Sequence, residues 1–165
     1  MRMGPYIATC VLAVVLDATL APEIEILGAR PDFAVLVIVY GALLMGGRTP
    51  IISGFLMGLV ADSELPEYLG LNALALAITG YLASKLLDHL VKANIFVQCT
   101  VIAGATLLHD AIYYVVYYRN HLDLFGRFFV HQALLGAVYT AMLGAVIYAV
   151  ARAANWRGVT SASHW

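Results

Sequence analysis

The segment Gly54-Phe55-Leu56-Met57-Gly58-Leu59-Val60-Ala61-Asp62 contains one ionisable residue, which stands last. Two glycines four residues apart on an apolar helix allow another helix to approach closely, a contact that membrane helices favour. The segment therefore predicts a membrane helix, with Gly54 and Gly58 as residues that pack against a helix of this chain or of a partner. Asp17 and Asp62 are our second choices for such contacts.

The rest of the chain is also rich in apolar residues and poor in charged ones. Of the 165 residues, 62% are hydrophobic and 12% are charged, whereas soluble domains have roughly 45–50% apolar and about 25% charged residues. So little charge excludes a soluble globular domain and also intrinsic disorder. The formal net charge is −1, and the lack of a basic cluster argues against a nucleic-acid-binding protein. We therefore predict an integral membrane protein in contact with the lipid bilayer.

Six apolar stretches, separated by turn signals, predict an all-α bundle of six transmembrane helices. The membrane domain covers residues 1–153, with a short polar tail over 154–165, and the approximate spans are 5–21, 31–45, 51–61, 69–87, 95–118 and 128–153. The second and third stretches are short for a hydrocarbon core about 30 Å thick. We expect both to extend into their flanking turns, in a thinned or protein-lined part of the bilayer.

The distribution of basic residues predicts the orientation. Cytoplasmic loops of membrane proteins carry an excess of Lys and Arg. With both termini in the cytoplasm, six of the nine basic residues lie inside: Arg2, Arg48, Lys85, Lys92, Arg152 and Arg157. Arg30, Arg119 and Arg127 lie outside, together with most of the loop acids, among which Asp32 is counted.

Ionisable residues within predicted spans are candidates for function. An aspartate at the centre of a membrane helix costs about 2.5–3.5 kcal/mol, so Asp17 needs the interface or a packing partner. His109, Asp110 and His131 join Asp17 in the outer half of the membrane under the predicted orientation. This polar cluster has two interpretations, hydrogen bonding between helices or the lining of an outward-facing cavity or proton path.

Sequence motifs for catalysis and for cofactor or metal binding are absent. The chain contains no phosphate-binding glycine loop, no H-E-x-x-H, no G-x-S-x-G and no Cys/His set with metal spacing. Cys10 and Cys99 stand in apolar runs, where a lone cysteine acts as a small hydrophobic residue. We predict that the protein is not an enzyme and binds no cofactor or metal.

Four motifs follow one another between Arg30 and Leu82: Arg30-Pro31-Asp32-Phe33, the segment 54–62, Leu69-Gly70-Leu71-Asn72-Ala73-Leu74 and Gly80-Tyr81-Leu82. In these motifs the sequence resembles the rod shape-determining protein MreD family. The ordered combination is specific, although it covers about a third of the chain. The loop over 63–68 departs from the family pattern because it carries two glutamates and a proline.

This resemblance implies a non-enzymatic component of the bacterial cell-elongation machinery in the inner (cytoplasmic) membrane. Such proteins bind the single-span partner MreC and, through it, connect to MreB filaments and peptidoglycan synthases, thereby helping to control cell shape and lateral wall synthesis. The family is distantly similar to the substrate-binding subunits of energy-coupling-factor transporters, which have a six-helix fold. The alternative is therefore a substrate-binding subunit of a vitamin or small-solute transporter. Those subunits often dock through Ala-x-x-x-Ala on the first helix, and no such pair lies between Tyr6 and Ala21.

Overall fold

The computed structural model describes residues 3–63, 66–90, 94–117 and 132–153, with side chains to residue 150 in the last range. These residues form six α-helices: α1 (Met3–Glu23), α2 (Phe33–Leu44), α3 (Thr49–Asp62), α4 (Leu71–Leu87), α5 (Ile95–Tyr117) and α6 (Leu134–Ala153). A 3-10 turn, Pro66–Tyr68, precedes α4. Within the described ranges the β structure is one isolated bridge, Ile26 to Ala29. The predicted all-α fold is confirmed, and residues 154–165 lie outside the described part.

Helix α2 is the centre of the bundle. Its sequence, FAVLVIVYGALL, is apolar on every face, and a helix of that kind lies in the core of a protein or within a membrane. All five other helices contact it. Val35 and Ile38 are completely buried, so the core of the protein is organised around α2.

Helices α3 and α4 form the closest antiparallel pair. A Cβ atom added at Gly54 would lie 2.7 Å from the carbonyl oxygen of Leu76, and one added at Gly80 would lie 2.6 Å from that of Pro50. A Cβ at Gly58 would meet the backbone of Ala73. The two glycines singled out from the sequence therefore pack helices within the chain.

The helix lengths differ among the predicted spans. Helices α1 and α5, of 21 and 23 residues, are long and apolar enough to cross a membrane. Helices α2, α3 and α4 have 12, 14 and 17 residues, so they reach about 18, 21 and 26 Å at about 1.5 Å per residue. Helix α6 has 20 residues.

The expected extension into the flanking turns occurs for α3 and does not occur for α2. Helix α3 covers 49–62 instead of the predicted 51–61. Helix α2 starts two residues later than predicted because Asp32 caps it. It ends before Gly46 and Gly47, whose φ angles of +62° and +61° turn the chain out of the helix.

We predict that Gly54→Ala destabilises the protein by about 1–3 kcal/mol, because the added methyl group meets backbone atoms of α4 that have no room to move. The matched control is Gly104→Ala, since a Cβ at Gly104 meets nothing within 4 Å. That control is neutral or stabilising by up to about 1 kcal/mol. Denaturant unfolding of the detergent-solubilised protein, followed by circular dichroism, measures both. Equal midpoints for the two variants would contradict this account of the α3–α4 contact.

Candidate functional site

A cavity of about 650 Å³ lies at one end of the bundle. At this end α1, α3 and α5 finish and α2, α4 and α6 begin. The polar and ionisable residues that line it include Asp17, Arg30, Asp32, Asn72, His109, Asp110 and Gln132. The cavity thus brings together Asp17, His109 and Asp110, which the sequence analysis grouped, and adds Asp32 to them.

Asp17 on α1 caps the N-terminus of α2. Its Oδ1 accepts a hydrogen bond from the backbone N–H of Phe33 at 2.8 Å, and its Oδ2 accepts one from Ala34 at 2.9 Å. The first N–H groups of a helix have no partner within it and carry partial positive charge. A carboxylate is therefore a favourable neighbour for them, and Asp17 joins α1 to the central helix through these bonds.

Asp32, the residue directly before α2, caps the same helix. Its Oδ1 accepts a hydrogen bond from Val35 N at 2.7 Å. Its backbone N–H donates to the hydroxyl of Thr140 on α6 at 3.1 Å, and Thr140 is completely buried. These bonds fix the carboxylate so that Oδ2 lies against His109.

His109 is the residue around which the site is built. Its Nδ1 lies 3.2 Å from Asp32 Oδ2 and 3.4 Å from Asp110 Oδ1. The three side chains are 12%, 18% and 20% exposed, in the order His109, Asp32 and Asp110. Nδ1 itself is buried, and neither close contact has hydrogen-bond geometry.

The other ring nitrogen of His109 is held by α4. Nε2 lies 3.3 Å from the amide oxygen Oδ1 of Asn72. Asn72 is positioned in turn by Asp62, which is 2% exposed and accepts from the backbone of Gly70, Asn72 and Ala73 at 2.9, 3.0 and 3.1 Å. Gly70, at φ +95°, turns its N–H toward this carboxylate. Asp62, which the sequence suggested as a contact residue, thus joins the end of α3 to the start of α4 beside the site.

The remaining residue of the predicted cluster, His131, lies outside the described part of the chain. Its neighbour Gln132 lines the cavity, and the Gln132 Oε1 accepts a hydrogen bond from the Tyr114 hydroxyl at 3.3 Å. Tyr113 stacks on His109 with ring centroids 6.4 Å apart. One wall of the cavity is therefore aromatic.

Sequence reasoning missed Asp32 as a site residue and treated it as a loop charge outside the membrane. The signal that identifies it is local, since an aspartate directly before an apolar helix and after a proline is a typical N-cap. Its proximity to His109, by contrast, depends on how α2 and α5 pack, and nothing in the local sequence predicts it.

Comparison with known proteins gives the family. A family model described as rod shape-determining protein MreD matches residues 3–153. The chain belongs to the MreD family. A rod shape-determining protein MreD from Haemophilus influenzae is 28% identical over 123 residues, which cover 74% of each chain. No solved structure matches.

Membership of the MreD family confirms the resemblance seen between Arg30 and Leu82. It assigns the protein a role in rod shape determination and an association with the cell-shape machinery. The apolar, helical structure of the chain fits a membrane protein.

We predict that Asp17→Ala destabilises the protein by about 1–3 kcal/mol, because it leaves two N–H groups at the start of the buried α2 without their acceptor. The amides of Phe33 and Ala34 should then exchange hydrogen faster. Asp88→Ala is the matched control, since Asp88 is exposed at the end of α4. Thermal unfolding and hydrogen exchange in detergent check both variants. Unchanged exchange at Phe33 and Ala34 would show that Asp17 does not cap α2 in solution.

Proposed function

We propose that the protein is a non-enzymatic, six-span component of the bacterial cell-elongation machinery that binds an MreC-like single-span membrane protein. Through that partner it contacts MreB filaments and peptidoglycan synthases indirectly and helps to control lateral wall synthesis and cell shape. The observation that carries this proposal is the MreD family match, which extends from residue 3 to residue 153 and thus covers all six helices.

A groove between α1 and α3 is the surface that best fits the helix of such a partner. It has a volume of about 610 Å³ and an almost entirely apolar lining. Ile7, Val11, Ile52 and Leu56 in this lining are each more than half exposed. The smaller side chains of Cys10 and Ser53 also line the groove. In lipid, helices associate through close packing rather than through apolar area alone, and a concave groove provides such packing.

We propose an inner-membrane location with both termini in the cytoplasm. The excess of basic residues on that side supports this orientation. The cavity lies at the end of the bundle where α1 finishes, so in this orientation it opens to the outer side of the membrane. Arg48, at the other end of the groove lining, is then near the cytoplasmic surface, where its charge is hydrated.

Bulky residues in the groove test the partner site. Val11→Trp and Ile52→Trp should reduce the amount of MreC-like partner that co-purifies in detergent by at least about tenfold, because the indole occupies the space of the incoming helix. The matched controls are Val138→Trp and Met142→Trp on the exposed face of α6, which should retain the partner. Rod shape in cells depleted of the natural protein gives the second readout.

Two results would overturn the scaffold proposal. One is wild-type protein that never retains a single-span partner, and the other is depleted cells that stay rod-shaped. Equal partner loss for the groove and α6 variants would show instead that the partner does not bind specifically between α1 and α3.

A second candidate function is that of a substrate-binding membrane subunit of a vitamin or small-solute transporter. The cavity supports it, because its volume of about 650 Å³ lies in the range of small-molecule sites, about 300–1,000 Å³. Polar groups on several helices converge on it. This second proposal includes a six-helix bundle similar to that of the substrate-binding subunits of energy-coupling-factor transporters.

Replacement of a single cavity residue tests this second function. Asp110→Asn should lower solute uptake by about tenfold or more, since it removes one charge from the lining, whereas Asp88→Asn on the exposed end of α4 should not. Uptake by membrane vesicles measures the effect. Normal uptake and growth with Asp110→Asn would exclude a transport function for this cavity.

A further inference from the structure

The arrangement of Asp32, His109 and Asp110 is that of a metal-ion site. One potential ligand atom from each residue lies within 4.8 Å of the other two. The atoms are one imidazole nitrogen and two carboxylate oxygens, a set that suits Zn²⁺ and related divalent transition metals. We propose that these three residues bind one divalent transition-metal ion, with Zn²⁺ as the best match, at the base of the cavity.

The distances between the ligand atoms support this assignment. His109 Nδ1 lies 3.2 and 3.4 Å from the two carboxylate oxygens. Ligands at about 2.0–2.1 Å from a tetrahedral Zn²⁺ are separated by roughly 3.3 Å. Both distances from the imidazole nitrogen therefore match the separation of neighbouring ligands around one ion. A tetrahedral ion bound by these three residues would take its fourth ligand from water or a solute in the cavity.

The tautomer of His109 also points to a cation. The amide oxygen of Asn72 beside Nε2 favours a proton on that nitrogen. The lone pair of Nδ1 then faces two carboxylates. Metal-binding histidines usually donate their second N–H in this way to an oxygen that fixes the ring. A proton on Nδ1 would be directed at neither oxygen, since neither contact has hydrogen-bond geometry, whereas a metal ion between the three atoms would contact all of them.

The charges around the cluster lead to the same conclusion. Among the described residues that line the cavity, Arg30 is the one side chain with a permanent positive charge. Its Nε pairs with Glu25 at 2.6 Å in an exposed position. A protonated His109 supplies one positive charge to the two mostly buried carboxylates, whereas a divalent cation compensates both.

Asp17 lies in the same cavity and is not a ligand in this proposal. Both of its oxygens accept hydrogen bonds from the backbone of α2. Asp32, by contrast, uses Oδ1 for its cap and leaves Oδ2 for the metal. The proposal depends on neither the partner nor the transported solute suggested above, because it rests on these contacts alone.

Direct metal binding by the full chain tests the site. The protein is purified in detergent with a tag that contains no histidine, stripped with a chelator and titrated with Zn²⁺ against a chromophoric competitor. We expect one ion per chain. His109→Gln should weaken binding by about 100-fold or more and Asp110→Asn by about tenfold or more. His89→Gln and Asp88→Asn are matched controls at exposed positions on the α4 end and should bind as the wild type does.

X-ray absorption of the Zn²⁺-loaded protein gives a readout that does not depend on the variants. It should show one nitrogen and two or more oxygen ligands at about 2.0 Å. Wild-type protein that binds no Zn²⁺ at 100 micromolar, or binding that His109→Gln and Asp110→Asn leave unchanged, overturns the proposal. A doubly protonated His109 ring in nitrogen NMR of the Zn²⁺-treated protein overturns it as well, because a proton then holds the cluster together.

Discussion

The buried N-terminus of α2 is the constraint on which the rest of the structure depends. A central helix without a polar face has to satisfy its first N–H groups inside the protein, because neither lipid nor the apolar core supplies acceptors. Asp17 and Asp32 supply them with carboxylate oxygens. This solution places two acidic side chains at one end of the bundle, and the polar cavity forms around them.

A second connection extends from the α3–α4 pair to the same cavity. Gly54 and Gly58 allow the two helices to approach until their backbones are in contact. Asp62, at the end of α3, then binds the first N–H groups of α4. This cap fixes the position of Asn72, and the Asn72 amide oxygen lies 3.3 Å from Nε2 of His109. Close packing of apolar helices thus determines the orientation of a polar side chain on α5.

The protein offers two surfaces of opposite character. The groove between α1 and α3 is apolar and lies on the side of the bundle, where another membrane helix has access. The cavity has a lining that is about half polar and includes ionisable side chains, and it lies at one end, where water and ions have access. Since the two surfaces have different linings, partner binding and the occupancy of the cavity are separable by mutation. The proposed partner site and the proposed ion site therefore use different surfaces of the protein.

The amino-acid sequence determined the all-α fold, because long apolar stretches broken by Gly, Pro and charged turns are local properties. It also determined the family, since the motif from Arg30 to Leu82 is specific, and it identified Asp17, His109 and Asp110 as unusual. The role of Gly54 and Gly58 within the chain was decided by tertiary packing, because a small helix face accepts any neighbour. Tertiary packing also decided the role of Asp32, because the sequence alone places this residue as a charge in a loop. Only the packing of α2 against α5 brings its carboxylate to His109, since residues far apart in sequence meet through the fold.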